Sequence, residues 1–156
     1  MKQKERNRIT PKKPFSYSNG FSLIEIITVV AIVSLLAAAG TVSLVSARER
    51  QTLKDGESIV LHGLERARSR ATAGIGNSDH GLHIEESRIV SFEGESYDGS
   101  GNTILLPGSV ETNQSDANIV FNRISGTASP ASVITITNSS GTKTITVTEN
   151  GAISND

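Results

Sequence analysis

Gly20-Phe21-Ser22-Leu23-Ile24-Glu25 opens a stretch that continues Ile26-Ile27-Thr28-Val29-Val30-Ala31-Ile32-Val33-Ser34-Leu35-Leu36-Ala37-Ala38-Ala39-Gly40-Thr41-Val42-Ser43-Leu44-Val45-Ser46-Ala47. From Ile26 to Ala47 no residue is charged. At about 1.5 Å per helical residue, roughly 20 apolar residues cross a ~30 Å hydrocarbon core. Ile, Val, Leu and Ala dominate on every side, so the pattern is that of a membrane span rather than of an amphipathic core helix.

The flanks sharpen this reading. Residues 1–20 hold Lys2, Lys4, Arg6, Arg8, Lys12 and Lys13 against Glu5, six bases and one acid, a balance of +5. The whole chain carries −1, so the remainder carries −6. A basic leader stays on the cytoplasmic side and the C-terminal part crosses. Glu25 stands at the mouth of the run. Locally it can complete a capping box with Ser22 and favour the helix dipole. A carboxylate facing hydrocarbon, however, costs a few kcal/mol unless paired, which marks Glu25 as a candidate functional group. An ordinary secretory signal peptide and a plain signal anchor are the alternatives. The run exceeds the usual apolar core of a signal peptide, and Ala37-Ala38-Ala39 lies inside it rather than after it.

Gly20-Phe21-Ser22-Leu23-Ile24-Glu25, between a basic leader and a membrane run, resembles the cleavage and methylation motif of type IV pilins and type II secretion pseudopilins at every position. The resemblance implies a single-pass precursor in the bacterial inner membrane. A prepilin peptidase would cut between Gly20 and Phe21 and N-methylate Phe21. Glu25 would then pair with the Phe21 amine of a neighbouring subunit. It further implies partners among other pilin subunits and an inner-membrane assembly platform, a final place in a cell-surface or periplasmic filament, and no enzymatic activity. Major pilins usually carry a Pro within this helix; here the neighbourhood reads Gly40-Thr41-Val42.

Beyond Ala47 the helical pattern continues. No Pro occurs from Ala47 to Ala73, and Leu53, Gly56, Val60, Gly63, Leu64, Ala67 and Ala71 recur at spacings of three and four. Arg50, Lys54, Asp55, Glu57, Glu65, Arg66, Arg68 and Arg70 fill the remaining surface. A helix from Ser22 to about Thr72 would be roughly 75 Å long. Gly56 and Gly63 either weaken it or mark where a sheet approaches closely. Arg66 and Arg70 share a face and Arg68 lies away from it. With Glu65 adjacent and an acidic remainder, these arginines read as a solvated face rather than a nucleic-acid site.

Gly74 to Asp79 is a turn, after which the period falls to two. Strands are expected over His80 to Ile84, Arg88 to Phe92, Thr103 to Leu106, Asn118 to Ile124, Val133 to Asn138 and Lys143 to Thr148. Glu93 to Thr103 is a loop. Ile134, Ile136, Ile145 and Val147 face one way and the threonines the other, with Asn138-Ser139-Ser140-Gly141 closing a hairpin. Gly151-Ala152-Ile153 is a short tail. The expected fold class is α+β and pilin-like: a long N-terminal helix, transmembrane then amphipathic, packed against one antiparallel sheet with a wet side. The expected divisions are a leader over 1–20, a membrane or filament-core helix over 21–47, its amphipathic continuation over 48–73, and a β-sheet head over 74–156.

Three looser patterns in the head resemble the H-type minor pseudopilins and fimbrial T-type minor pilins. They are Leu64 to Ala71, the turn from Phe121 to Gly126, and the closing Gly151-Ala152-Ile153. The resemblance favours a minor pilin or pseudopilin, with a major type IV pilin as the alternative. A DNA-uptake minor pilin with a DNA-binding head is a further alternative, which the acidic remainder argues against. His80, His83 and Glu85 do not make a metal site, because His80 and Glu85 have opposite parity along a strand. Asp98, Ser100 and Asn102 have the spacing of half a calcium loop without its closing Glu, so no cofactor is expected, with calcium at these three residues as the minor alternative. With no Cys, no disulfide staples the fold.

Overall fold

The computed structural model describes residues 20–156 and, of residues 39–43, the helical backbone alone. The leader expected over 1–20 therefore lies, but for Gly20, outside the described residues. The fold is α+β. Helix α1 spans Leu23–Thr72. The chain divides into two compact units, one ending at Ala39 and one running from Gly40 to Asp156.

In the first unit the described side chains from Gly20 to Ala38 are all exposed. Among the described residues no helix is long and apolar enough to cross a membrane. The span expected over Ile26 to Ala47 is thus not recovered as such. Its continuous described stretch stops at Ala38, because the side chains of 39–43 lie outside the described residues.

In the second unit the helix enters a core. All seven residues of the expected stripe, Leu53, Gly56, Val60, Gly63, Leu64, Ala67 and Ala71, are buried. The two glycines sit where the head comes closest. A Cβ at Gly56 would stand 2.8 Å from Val110 Cγ1, and one at Gly63 would stand 3.0 Å from Ile89 Cδ1. The helix gives up propensity there for close packing.

The strands are β1 (His80–Ile84), β2 (Arg88–Glu93), β3 (Asn102–Leu105), β4 (Glu111–Thr112), β5 (Ala117–Phe121), β6 (Ala128–Ser129), β7 (Ser132–Asn138), β8 (Gly141–Val147) and β9 (Ile153–Asn155). They form two antiparallel sheets, ordered β3-β2-β1-β5-β6 and β4-β7-β8-β9, where one was expected. The sheets meet through short links. Thr112 N–H and Oγ1–H donate to the carbonyls of Glu86 and Glu85, and Ala128 N–H donates to that of Glu149. Leu82, Ile84, Ile89, Ile119 and Phe121 from one sheet and Ile134, Ile136, Ile145 and Val147 from the other close one core over the helix stripe.

Three expectations are corrected. The five-stranded sheet has no wet side at its centre: β1 is buried throughout, and Val90, Phe92 and Val120 are buried apart from the main core. Tyr97, from the loop after β2, stacks on His83 at 4.1 Å and tilts against Phe92 at 5.6 Å. The strand expected over Asn118 to Ile124 ends at Phe121, because Ile124 turns to φ 69°. Its N–H donates to the Ala71 carbonyl at 2.9 Å, so this turn caps the last turn of the helix. The expected tail is a strand: β9 pairs with β8.

Candidate assembly site

The Gly20-to-Glu25 segment forms the start of the helix. The Ser22 carbonyl accepts from the N–H groups of Glu25 at 3.0 Å and Ile26 at 3.2 Å. The expected capping box is not made: among the described residues neither the Ser22 hydroxyl nor the Glu25 carboxylate has a hydrogen-bond partner. Farther along, the hydroxyls are satisfied within the helix. Thr28 Oγ1–H donates to the Ile24 carbonyl and Ser34 Oγ–H to that of Val30, each at 2.7 Å. Such back-bonding hides a hydroxyl from an apolar surrounding. From Phe21 to Leu36 the large apolar side chains are uncovered, with Phe21 79% and Leu23 80% exposed. The segment is a helix apolar all round, with the Thr28 and Ser34 hydroxyls paired within it and the Glu25 carboxylate left over. Among the described residues of its unit nothing covers it, and an exposed apolar surface of that extent marks a contact site for lipid or for other chains.

Residues 15–41 match the family model of the prokaryotic N-terminal methylation motif. That match supports the type IV pilin and pseudopilin family, and Gly20, Phe21 and Glu25 all fall within it. No curated protein and no solved structure matches the chain. The likeness of the head to the H-type minor pseudopilins is therefore unconfirmed, while the α+β, pilin-like architecture stands on the structure.

The head brings together the three loosely patterned segments. Gly126 and Gly151 adopt φ 65° and 77°. A Cβ at Gly126 would stand 2.5 Å from Thr72 Cγ2 and 3.5 Å from Arg68 Nε. A Cβ at Gly151 would overlap the Gly126 carbonyl oxygen and stand 3.1 Å from Arg68 Nε. The end of the helix, the turn after β5 and the turn before β9 therefore share one corner, with two glycines required by both conformation and space. Arg68 Nε is buried there without a hydrogen-bond partner among the described residues.

Two charged side chains placed on the wet helix surface by sequence are not there. Arg68 packs into this corner. Glu57 is buried, accepts from Asn155 Nδ2–H at 2.7 Å and lies 3.9 Å from Lys143 Nζ, tying the helix to β8 and β9. The only sequence signal for Glu57 was its place beside Gly56 and one turn before Val60 on the buried stripe.

The two strand histidines diverge. His80 is on the core face, with Nε2 donating to the Ile75 carbonyl at 2.8 Å and Nδ1 accepting from Arg70 Nε–H at 3.4 Å. His83 faces the other way, against Asn118 Oδ1 at 2.8 Å and Glu85 Oε1 at 3.3 Å. Among the described residues no three potential metal ligands converge. Arg88 donates to both carboxylate oxygens of Glu85, at 2.6 and 2.8 Å. That fork holds the Glu85 carboxyl below its ordinary range, against the opposing effect of burial, with Arg88 and His83 charge adding to it. Asp98 Oδ1 accepts from Ser100 N–H at 2.9 Å and from its hydroxyl at 2.5 Å, and these bonds lower its pKa. Asn102, the third position of the calcium-like spacing, lies in β3.

Proposed function

We propose that this chain is the precursor of a structural filament subunit, a minor pilin or pseudopilin of a type IV pilus or a type II secretion pseudopilus. Prepilin peptidase removes residues 1–20 by cutting between Gly20 and Phe21, and Phe21 becomes N-methylated. The run from Ile26 to Ala47 first anchors the precursor in the inner membrane and then packs among the same runs of neighbouring subunits. The observation that carries this reading is the uncovered apolar helix coinciding with the matched methylation motif.

Glu25 has a specific place in it. Its carboxylate is the unpaired ionisable group on an otherwise apolar surface among the described residues. In lipid that is costly, and a subunit with a free Phe21 amine supplies an opposite charge within the apolar filament core. The test is incorporation of Glu25→Ala subunits expressed with their own filament system. The variant should be cut and methylated yet drop out of purified filaments. Incorporation at the unsubstituted level would overturn the pairing role.

A further inference from the structure

The five-stranded sheet has an open edge at β3. The register sets Ile89 opposite Ile104 and Ser91 opposite Asn102. Leu106 N–H donates to the Ser87 carbonyl at 2.9 Å. Bonded pairs in an antiparallel ladder recur at every second residue. Asn102 and Ile104 therefore bond to β2, and the N–H and C=O groups of Thr103 and Leu105 point away from the sheet. Thr103 is exposed and Leu105 is 71% exposed.

Alongside this edge, between β3 and the helix, runs a groove of about 210 Å³. Ile59, Gly63 and Ile104 give it an apolar floor, and His62 and Arg66 wall it on the helix side. Asn102 also lines the neighbouring hollow with Arg70, one helical turn beyond Arg66, which sets it toward the Arg66 end of the groove. His62 is engaged by Glu65 at 3.1 Å. Arg66 is exposed and its guanidinium has no partner among the described residues.

We propose that β3 and this groove dock an extended, acidic segment of a partner protein, added antiparallel to β3 as a sixth strand. Its backbone pairs with Thr103 and Leu105. Side chains of the added strand alternate between faces, so the residue opposite Ile104 and the one two positions later, opposite Asn102, both turn toward the helix. The first is apolar and covers Ile59 and Ile104. The second is Asp or Glu and meets Arg66. A second copy of this chain fits less well: two-fold pairing of β3 with itself sets Ile104 against Ile104 but brings two Arg66 side chains to one groove with no acid between them.

The test uses the full chain in detergent micelles and two blocked synthetic peptides, Ser-Thr-Val-Thr-Glu-Thr-Ser and the same peptide with Lys replacing Glu. The Glu peptide should bind and slow amide exchange at Thr103 and Leu105. The Lys peptide should bind at least about tenfold more weakly, and Arg66→Glu should reverse that preference. Leu105→Pro removes an outward N–H while leaving the β2 ladder intact, so it should abolish binding without loosening β1 or β5. Equal binding of the two peptides, or no binding of either at millimolar concentration, would overturn the proposal. So would protection elsewhere than β3. Self-association abolished by Leu105→Pro would assign the edge to a second copy instead and would equally overturn it.

Discussion

Replacing Gly151 by Ala tests the shared corner of the head. Gly151 sits at φ 77° in the turn where its N–H donates to the Thr148 carbonyl at 2.8 Å. An L residue in that region costs about 1–2 kcal/mol. The new methyl would also overlap the Gly126 carbonyl oxygen, which belongs to backbone and cannot rotate aside. Relieving such overpacking costs about 1–3 kcal/mol, while the stiffer unfolded chain returns about 0.4–1 kcal/mol. The net expectation is a loss of roughly 2–4 kcal/mol. Gly74→Ala is the control: Gly74 has φ 65° but nothing within 4 Å of a would-be Cβ, so only conformational strain remains, about 1 kcal/mol. Native-state hydrogen exchange on the full chain in detergent reads both values from peptides covering β1, β5 and β8. Equal losses in the two variants would refute the shared corner, since conformation alone would then explain both.

The buried Glu57 gives a second stability test. Glu57→Ala strands Asn155 and Lys143 and should cost about 1–3 kcal/mol, whereas Glu57→Gln keeps an acceptor for Asn155 and should cost less; the same exchange assay ranks them. The Glu85 carboxyl, held low by the Arg88 fork, contributes stability above its unfolded pKa that is lost as pH falls through the lower folded value. Arg88→Gln should move Glu85 titration, followed by side-chain carboxyl NMR, up toward the ordinary range; an unmoved titration would show that the fork is not its cause. Ser100→Ala should raise Asp98 in the same way, since the Ser100 hydroxyl bond is the largest lowering contribution.

How far the sequence reached depended on whether each segment's partner was local. The helix was readable almost to the residue, because its stripe from Leu53 to Ala71 repeats a single period and Gly74 stops it at φ 65°. The β7–β8 hairpin was equally readable: Ile134, Ile136, Ile145 and Val147 alternate with threonines, and all four are buried. The division into two sheets was not, because its links are two-residue strands such as β4 and β6, too short to show a period. The dry outer face of β1 was hidden because it depends on Tyr97 folding back onto His83 across a loop of Gly, Ser and Asp. The buried role of Glu57 depends on Asn155, which lies 98 positions away.

At the candidate site the segment was legible as a motif, because Gly20 to Glu25 and the following run are contiguous in sequence. What would cover its exposed apolar side chains is not written in the segment itself. Arg66 shows the same limit in the head: its spacing from Arg70 was visible, but its place on the wall of a groove beside an open strand came from the fold.

The most direct measurement is the intact mass of the full chain recovered from membranes after co-expression with an active prepilin peptidase. The expected mass is that of residues 21–156 carrying one methyl group on Phe21. An uncut chain, with the peptidase active on a control precursor, would contradict assignment to the pilin pathway, as would a cut inside Ala37-Ala38-Ala39.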